Sequence, residues 1–140
     1  VGMGGNTGKL NEIIDLCEKH NLKLILDAAH MAGTFIKNND EVVEHVGKRC
    51  DVAVFSFQAV KNLPTGDSGM ICFKNNDYDL LCRKLSWLGI DKDTYQRTND
   101  KGKYKWEYDL VDVGFKYHGN SIMASMALVG LKYLEPKKNL

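Results

Sequence analysis

Leu22-Lys23-Leu24-Ile25-Leu26-Asp27-Ala28-Ala29-His30 is the stretch on which the fold turns. Leu22 to Leu26 is too continuous in apolar residues for a surface strand, and it runs straight into an acid and two alanines. A parallel strand covered on both faces reads this way. On the N-terminal side, Thr7 to His20 carries Leu10, Ile13, Ile14, Leu16 and Cys17 at helical spacing, which predicts an amphipathic helix with Asn6 or Thr7 as its cap. On the C-terminal side, Asp40 to Lys48 reads as a short helix, Asp51 to Phe57 as a second buried strand and Gly69 to Phe73 as a third. Asp77 to Leu88 and Ser121 to Leu134 read as longer helices, and Gly89 to Asp109, with Tyr95, Tyr104, Trp106 and Tyr108 but no firm period, as an ordered loop. Helices alternating with continuous apolar strands predict an α/β, three-layer fold with a mostly parallel sheet, which binds ligands at its strand ends.

Composition narrows the function classes. The chain has 140 residues, 44% of them hydrophobic, enough for one core but not for two complete domains. Its 19 basic and 18 acidic residues nearly cancel and are mixed along the chain, which leaves no basic stripe for nucleic acid or anionic lipid. No apolar run approaches the roughly 18 to 20 residues that span a bilayer. Cys17, Cys50, Cys72 and Cys82 form no Cys-x-x-Cys pair and lie in or beside apolar stretches, which fits reduced buried thiols and disfavours disulfides or a metal site. A soluble, cytoplasmic protein is the expectation, with no membrane, nucleic-acid or metal partner.

Two residues carry the chemistry. Asp27 closes the first apolar strand, and a carboxylate in such a place loses solvation unless a cation compensates it. Lys61 lies in Ser56-Phe57-Gln58-Ala59-Val60-Lys61-Asn62-Leu63, just past the next strand, where it can reach into a pocket. An acid that keeps a pyridine nitrogen protonated and an amine that forms a Schiff base are what a pyridoxal phosphate enzyme needs. Taken singly, each has an ordinary reading. A strand-end acid is more often a helix cap or half of an ion pair, and a lysine is more often a snorkelling surface residue. Ser56 offers a hydroxyl to a phosphate oxygen, Ala29 is small enough to let a flat ring lie against the backbone, and His30 is placed to hydrogen-bond a phenolate oxygen. Pro64 to Gly69 contains two glycines that permit a tight reversal before the third strand.

Together these segments resemble the DegT/DnrJ/EryC1/StrS family of sugar aminotransferases, members of fold type I of the pyridoxal phosphate enzymes. The resemblance rests on Asp27-Ala28-Ala29-His30 followed by Gly33, on Phe55-Ser56-Phe57 through Lys61-Asn62-Leu63 to Gly66 and Gly69, and on Gly114-Phe115-Lys116-Tyr117-His118 through Ile122, Ala124 and Leu128. Gly4-Gly5-Asn6 and the helix after it also match the segment before the family's aspartate strand, so the likeness spans nearly the whole chain.

The resemblance implies the cofactor pyridoxal 5'-phosphate. Asp27 would pair with its pyridine nitrogen, Ala29 and His30 would lie against the ring and its phenolate oxygen, and Ser56 would bind its phosphate. Lys61 would be the Schiff-base lysine and the general base and acid of the reaction. It also implies a homodimer that moves an amino group, usually from glutamate, to a nucleotide-linked keto sugar. Relatives that dehydrate sugars carry histidine in place of this lysine, and Lys61 argues against that branch. Many relatives read Asn-Tyr-Arg where this chain has Lys116-Tyr117-His118, a region that reaches the cofactor phosphate of the neighbouring subunit. Lys116 is the candidate for that contact here. On the same resemblance, residues 1–140 are the central part of the cofactor-binding large domain, without the N-terminal portion and the C-terminal small domain of a full member. Two other classes fit part of the pattern. One is a serine hydroxymethyltransferase-like or cysteine desulfurase-like enzyme, although those usually place histidine directly before the lysine, where this chain has Val60. The other is a non-catalytic binding protein on the same scaffold.

Overall fold

A computed structural model describes residues 1–38, 40–91 and 110–134. The described residues fall into two compact units, one from those within Val1–Lys74 and 119–134, the other from those within Asn75–His118.

The first unit is built on a three-stranded sheet. Strand β1 (Ile25–Asp27) pairs in parallel with β4 (Val52–Ser56), in register Leu26 to Ala53 and Asp27 to Val54, and β4 pairs antiparallel with β5 (Gly69–Phe73). The sheet of the described residues is therefore mixed, because the glycine-bearing Pro64 to Gly69 segment turns the chain back beside β4. The fold class is mixed α/β.

Helix α1 (Leu10–Lys19) buries Leu10 and Ile14, four residues apart and so on one face. They join Leu26, Ala28, Met31, Ala53, Phe55, Phe57 and Leu63 in the core. The helix begins later than its apolar period suggests, at Leu10, with Lys9 in the N-cap position and no side-chain cap, because Asn6 Oδ1 accepts the Gly8 amide (2.8 Å) in the preceding turn. A continuous apolar run predicts a strand covered on both faces. Among the described residues the core covers the Leu26, Ala53 and Phe55 face, while Ile25, Val54 and Ile71 on the other are 68%, 40% and 46% exposed.

Residues 40 to 48 are a correction. They form no α-helix: β2 (Phe35–Lys37) and β3 (Val43–His45) make an antiparallel hairpin, followed by a 3-10 turn at Val46–Lys48. Val42, Val43 and Val46 mimic helical spacing, but β-branched residues favour extension, and Asn38 closes a reversal by accepting the amides of Asp40 and Val42 (both 2.9 Å). In the same unit, helix α3 (Ser121–Leu131) is capped by Asn120, whose Oδ1 accepts the Met123 amide (3.0 Å).

The second unit holds helix α2 (Asn76–Ser86), capped by Asn75 through the Asp77 and Tyr78 amides. The segment 110–118 packs against its C-terminal end, with Phe115 N–H donating to Leu85 O and Leu88 N–H to Phe115 O. Gly89, at φ 78°, and Gly114 cross so closely that a Cβ on Gly114 would lie 2.2 Å from Gly89 N. Most of the aromatic segment Gly89 to Asp109 lies outside the described residues.

Gly114→Ala should therefore lower the melting temperature by several degrees, since overpacking against backbone costs about 1–3 kcal/mol. An unchanged melting curve would contradict that crossing. His45 gives a pH-dependent counterpart. Its ring sits between Phe35 and Phe55 (centroids 5.5 and 5.6 Å), and the Gly33 and Gly47 amides point at its two nitrogens, each at 3.2 Å. A neutral imidazole can serve one of these amides at a time and an imidazolium neither. Burial, reinforced by the Lys48 charge, holds His45 below its ordinary value of 6.5. Because the folded value is the lower one, the stabilisation is complete above about pH 6.5 and is lost as pH falls through it. Thermal unfolding of His45→Gln should show less loss of stability between pH 7.5 and 5.5 than the parent, and parallel pH profiles would rule this role out.

Candidate functional site

The site is assembled where β1 and β4 end. Because their pairing is parallel, the acid at the end of β1 and the chain leaving β4 emerge at the same edge of the sheet, with Ala28 N–H donating to Val54 O (2.8 Å) to extend the ladder. Asp27 lies opposite Val54, and Ser56 is two residues further along, so Asp27 and Ser56 project from one face. That face is exposed among the described residues, and Asp27 lies on it at the strand end. Its Oδ1 accepts the Ala29 amide (3.1 Å), which fixes the carboxylate against the turn, and among the described residues no lysine, arginine or histidine forms an ion pair with it.

The turn after Asp27 closes through Met31 N–H to Ala28 O (2.9 Å) and is anchored by Met31, which is fully buried. It presents His30 to the lysine segment, where His30 Nε2 and Lys61 Nζ lie 2.7 Å apart. The other ring nitrogen, Nδ1, accepts the Gly4 amide (3.4 Å).

Lys61 sits on an anchored loop. Its own amide donates to Gln58 O (2.8 Å), Leu63 and Thr65 two and four residues on are buried, and Thr65 N–H returns to Phe57 O (2.8 Å). The Thr65 and Ser68 hydroxyls bond to each other, and Phe57 N–H donates to Ser68 O (2.7 Å). Asn62 Nδ2 donates to Ala32 O, stapling this loop to the turn that carries His30. The half-buried ammonium stem of Lys61 is thereby held on a closed loop instead of trailing into water.

Of the residues singled out in the sequence, the structure brings His30 and Lys61 into contact and sets Asp27, Ala29 and Ser56 on the same strand ends. Lys116 belongs to the second unit, where its Nζ lies 4.0 Å above the Trp87 ring and the His118 ring meets the same indole edge-on (3.8 Å). Sequence reasoning gave no role to Asn62 or to the Gly4 amide, and each acts through a contact about 26 to 30 residues away, a separation that local patterns do not report.

Comparison with known proteins gives this α/β arrangement, with an acid, a hydroxyl and an amine at one sheet edge, its class. The model of the DegT/DnrJ/EryC1/StrS aminotransferase family matches residues 1–139, and the chain belongs to that family. It is 30% identical, over 96% of its length, to a UDP-4-amino-4,6-dideoxy-N-acetyl-beta-L-altrosamine transaminase of Campylobacter jejuni, of which it covers 32%. It superposes on the aminotransferase TlmJ of Streptoalloteichus hindustanus with a TM-score of 0.74 at 30% identity, over 94% of this chain and 31% of that one. The putative sugar aminotransferase Spr1654 of Streptococcus pneumoniae, in its PMP-form, gives 0.75 at 26% identity, over 94% and 36%. The chain thus spans about a third of the length of the relatives it matches.

The donor set fits the family's cofactor. A carboxylate with no cationic partner among the described residues suits a protonated ring nitrogen, a strand-end hydroxyl suits a phosphate oxygen, and a tethered amine suits an aldehyde. If the Asn62 staple is what holds the amine in place, Asn62→Ala should speed hydrogen exchange at the amides of residues 57–65 by about fivefold, while exchange in β1 stays unchanged. Identical exchange in the two proteins would remove Asn62 from the site.

Proposed function

We propose that the protein carrying this chain is a pyridoxal 5'-phosphate-dependent aminotransferase that moves an amino group from glutamate to a nucleotide-linked keto sugar, working as a homodimer in the cytoplasm. In this reading residues 1–140 are the central part of its cofactor-binding large domain. The observation that carries it is the meeting of His30 with Lys61 beside the Asp27 strand end. Membership of a family of sugar aminotransferases supports the reaction class, and the UDP-sugar transaminase relative supports a nucleotide-linked acceptor. Four cysteines without a disulfide are consistent with a reducing compartment.

When bound, pyridoxal phosphate supplies an electron sink for the carbon that bears the amino group. Asp27 would balance the charge of the ring nitrogen, with its carboxylate oriented by the bond from the Ala29 amide. Ala29 and His30 would lie beside the ring, and Ser56 Oγ would bind its phosphate. Lys61 Nζ would hold the cofactor and serve as the general base and acid of the reaction. Lys116 is the candidate for a phosphate contact in the neighbouring subunit.

Adding pyridoxal phosphate to the full-length protein should produce a new absorbance band toward the visible. Lys61→Ala should abolish that band and lower transamination from glutamate to UDP-linked keto sugars by about a thousandfold or more. A parent protein that gives no band, or a variant that keeps both band and rate, would defeat the assignment. Turnover of amino acids without any keto sugar acceptor would move it to another fold type I reaction.

A further inference from the structure

The edge of the sheet away from Lys61 carries a second group of charged side chains. Strands β1 and β4 begin there and β5, which runs the other way, ends there, so the residues just before β1 and β4 and just after β5 come together. Lys23, Arg49, Asp51 and Lys74 are among them. With Glu18 from the end of α1 and Asn21 from the turn after it, they line a cavity of about 290 Å³. Asp51 is fully engaged: Oδ1 pairs with Lys23 Nζ (3.1 Å), and Oδ2 accepts the Leu24 amide (2.9 Å). Arg49 is not. Its Nη1 reaches Glu44 at 3.5 Å, while its Nε is buried with no acceptor among the described residues. A buried N–H left unpaired costs more than the same bond contributes when made, so this one calls for an acceptor. Lys74 is a second donor: its charge acts on Asp51, yet it forms no ion pair among the described residues.

We propose that this cavity binds a phosphate group, free or carried by a small metabolite, between Arg49 and Lys74. A guanidinium and an ammonium that line one cavity suit a tetrahedral oxyanion, which has acceptor oxygens for both, whereas a water would satisfy Arg49 Nε and leave the lysine charge unanswered. Glu18, exposed and lining the same cavity, opposes the anion. The site stands at the opposite edge of the sheet from Ser56 and Lys61, so it does not rest on the function proposed above.

Calorimetric titration of the full-length protein, loaded with pyridoxal phosphate and freed of excess so that no phosphate is drawn to Ser56, tests this with two probes, inorganic phosphate and glucose 6-phosphate. The expected result is saturable binding of at least one probe, weakened about tenfold or more in Arg49→Gln and about threefold or more in Lys74→Met, and tightened about two- to fivefold in Glu18→Gln. The tighter of the two probes names the source of the phosphate group. Arg49→Gln also strands Glu44, and where that costs the fold, Lys74→Met and Glu18→Gln decide between them. No saturable binding of either probe, or binding that Lys74→Met and Glu18→Gln leave unchanged, would overturn the proposal while leaving the Lys61 site untouched.

Discussion

The parallel pairing of β1 with β4 is the constraint on which the site depends. Parallel strands deliver their C-terminal ends to one edge, so an acid that closes the first strand and a loop that leaves the second must meet there. An antiparallel pairing of the same two strands would have put Asp27 and Lys61 at opposite edges. Register matters as much as direction. A slip of one residue would turn Asp27 into the core and Leu26 out of it, burying the carboxylate.

Around that edge, rigidity is supplied by short connections with buried anchors. Met31 fixes the turn bearing His30, while Leu63 and Thr65 fix the loop bearing Lys61. Asn62 ties one to the other, so the histidine and the amine are held by a common frame.

The sequence revealed the parts of this frame that have a local cause. Gly69 to Phe73 is a strand in both readings, because an apolar run bounded by a glycine turn admits little else. Asp27 was legible because it closes such a run, and Lys61 because it follows one within a few residues. The hairpin at 35–45 was not, since Val42, Val43 and Val46 satisfy helical spacing and the decisive contact is the Asn38 side chain. The roles of Gly4 and Asn62 come from distant contacts, and no spacing rule points to either.

Covalent trapping tests the central claim most directly. The full-length protein would be incubated with pyridoxal phosphate, reduced with borohydride, digested and mapped by mass spectrometry. The account predicts one pyridoxyl group per chain, on the peptide that contains Lys61. A label spread over surface lysines, or concentrated at Lys116, would show that the β1 and β4 edge is not where the cofactor binds.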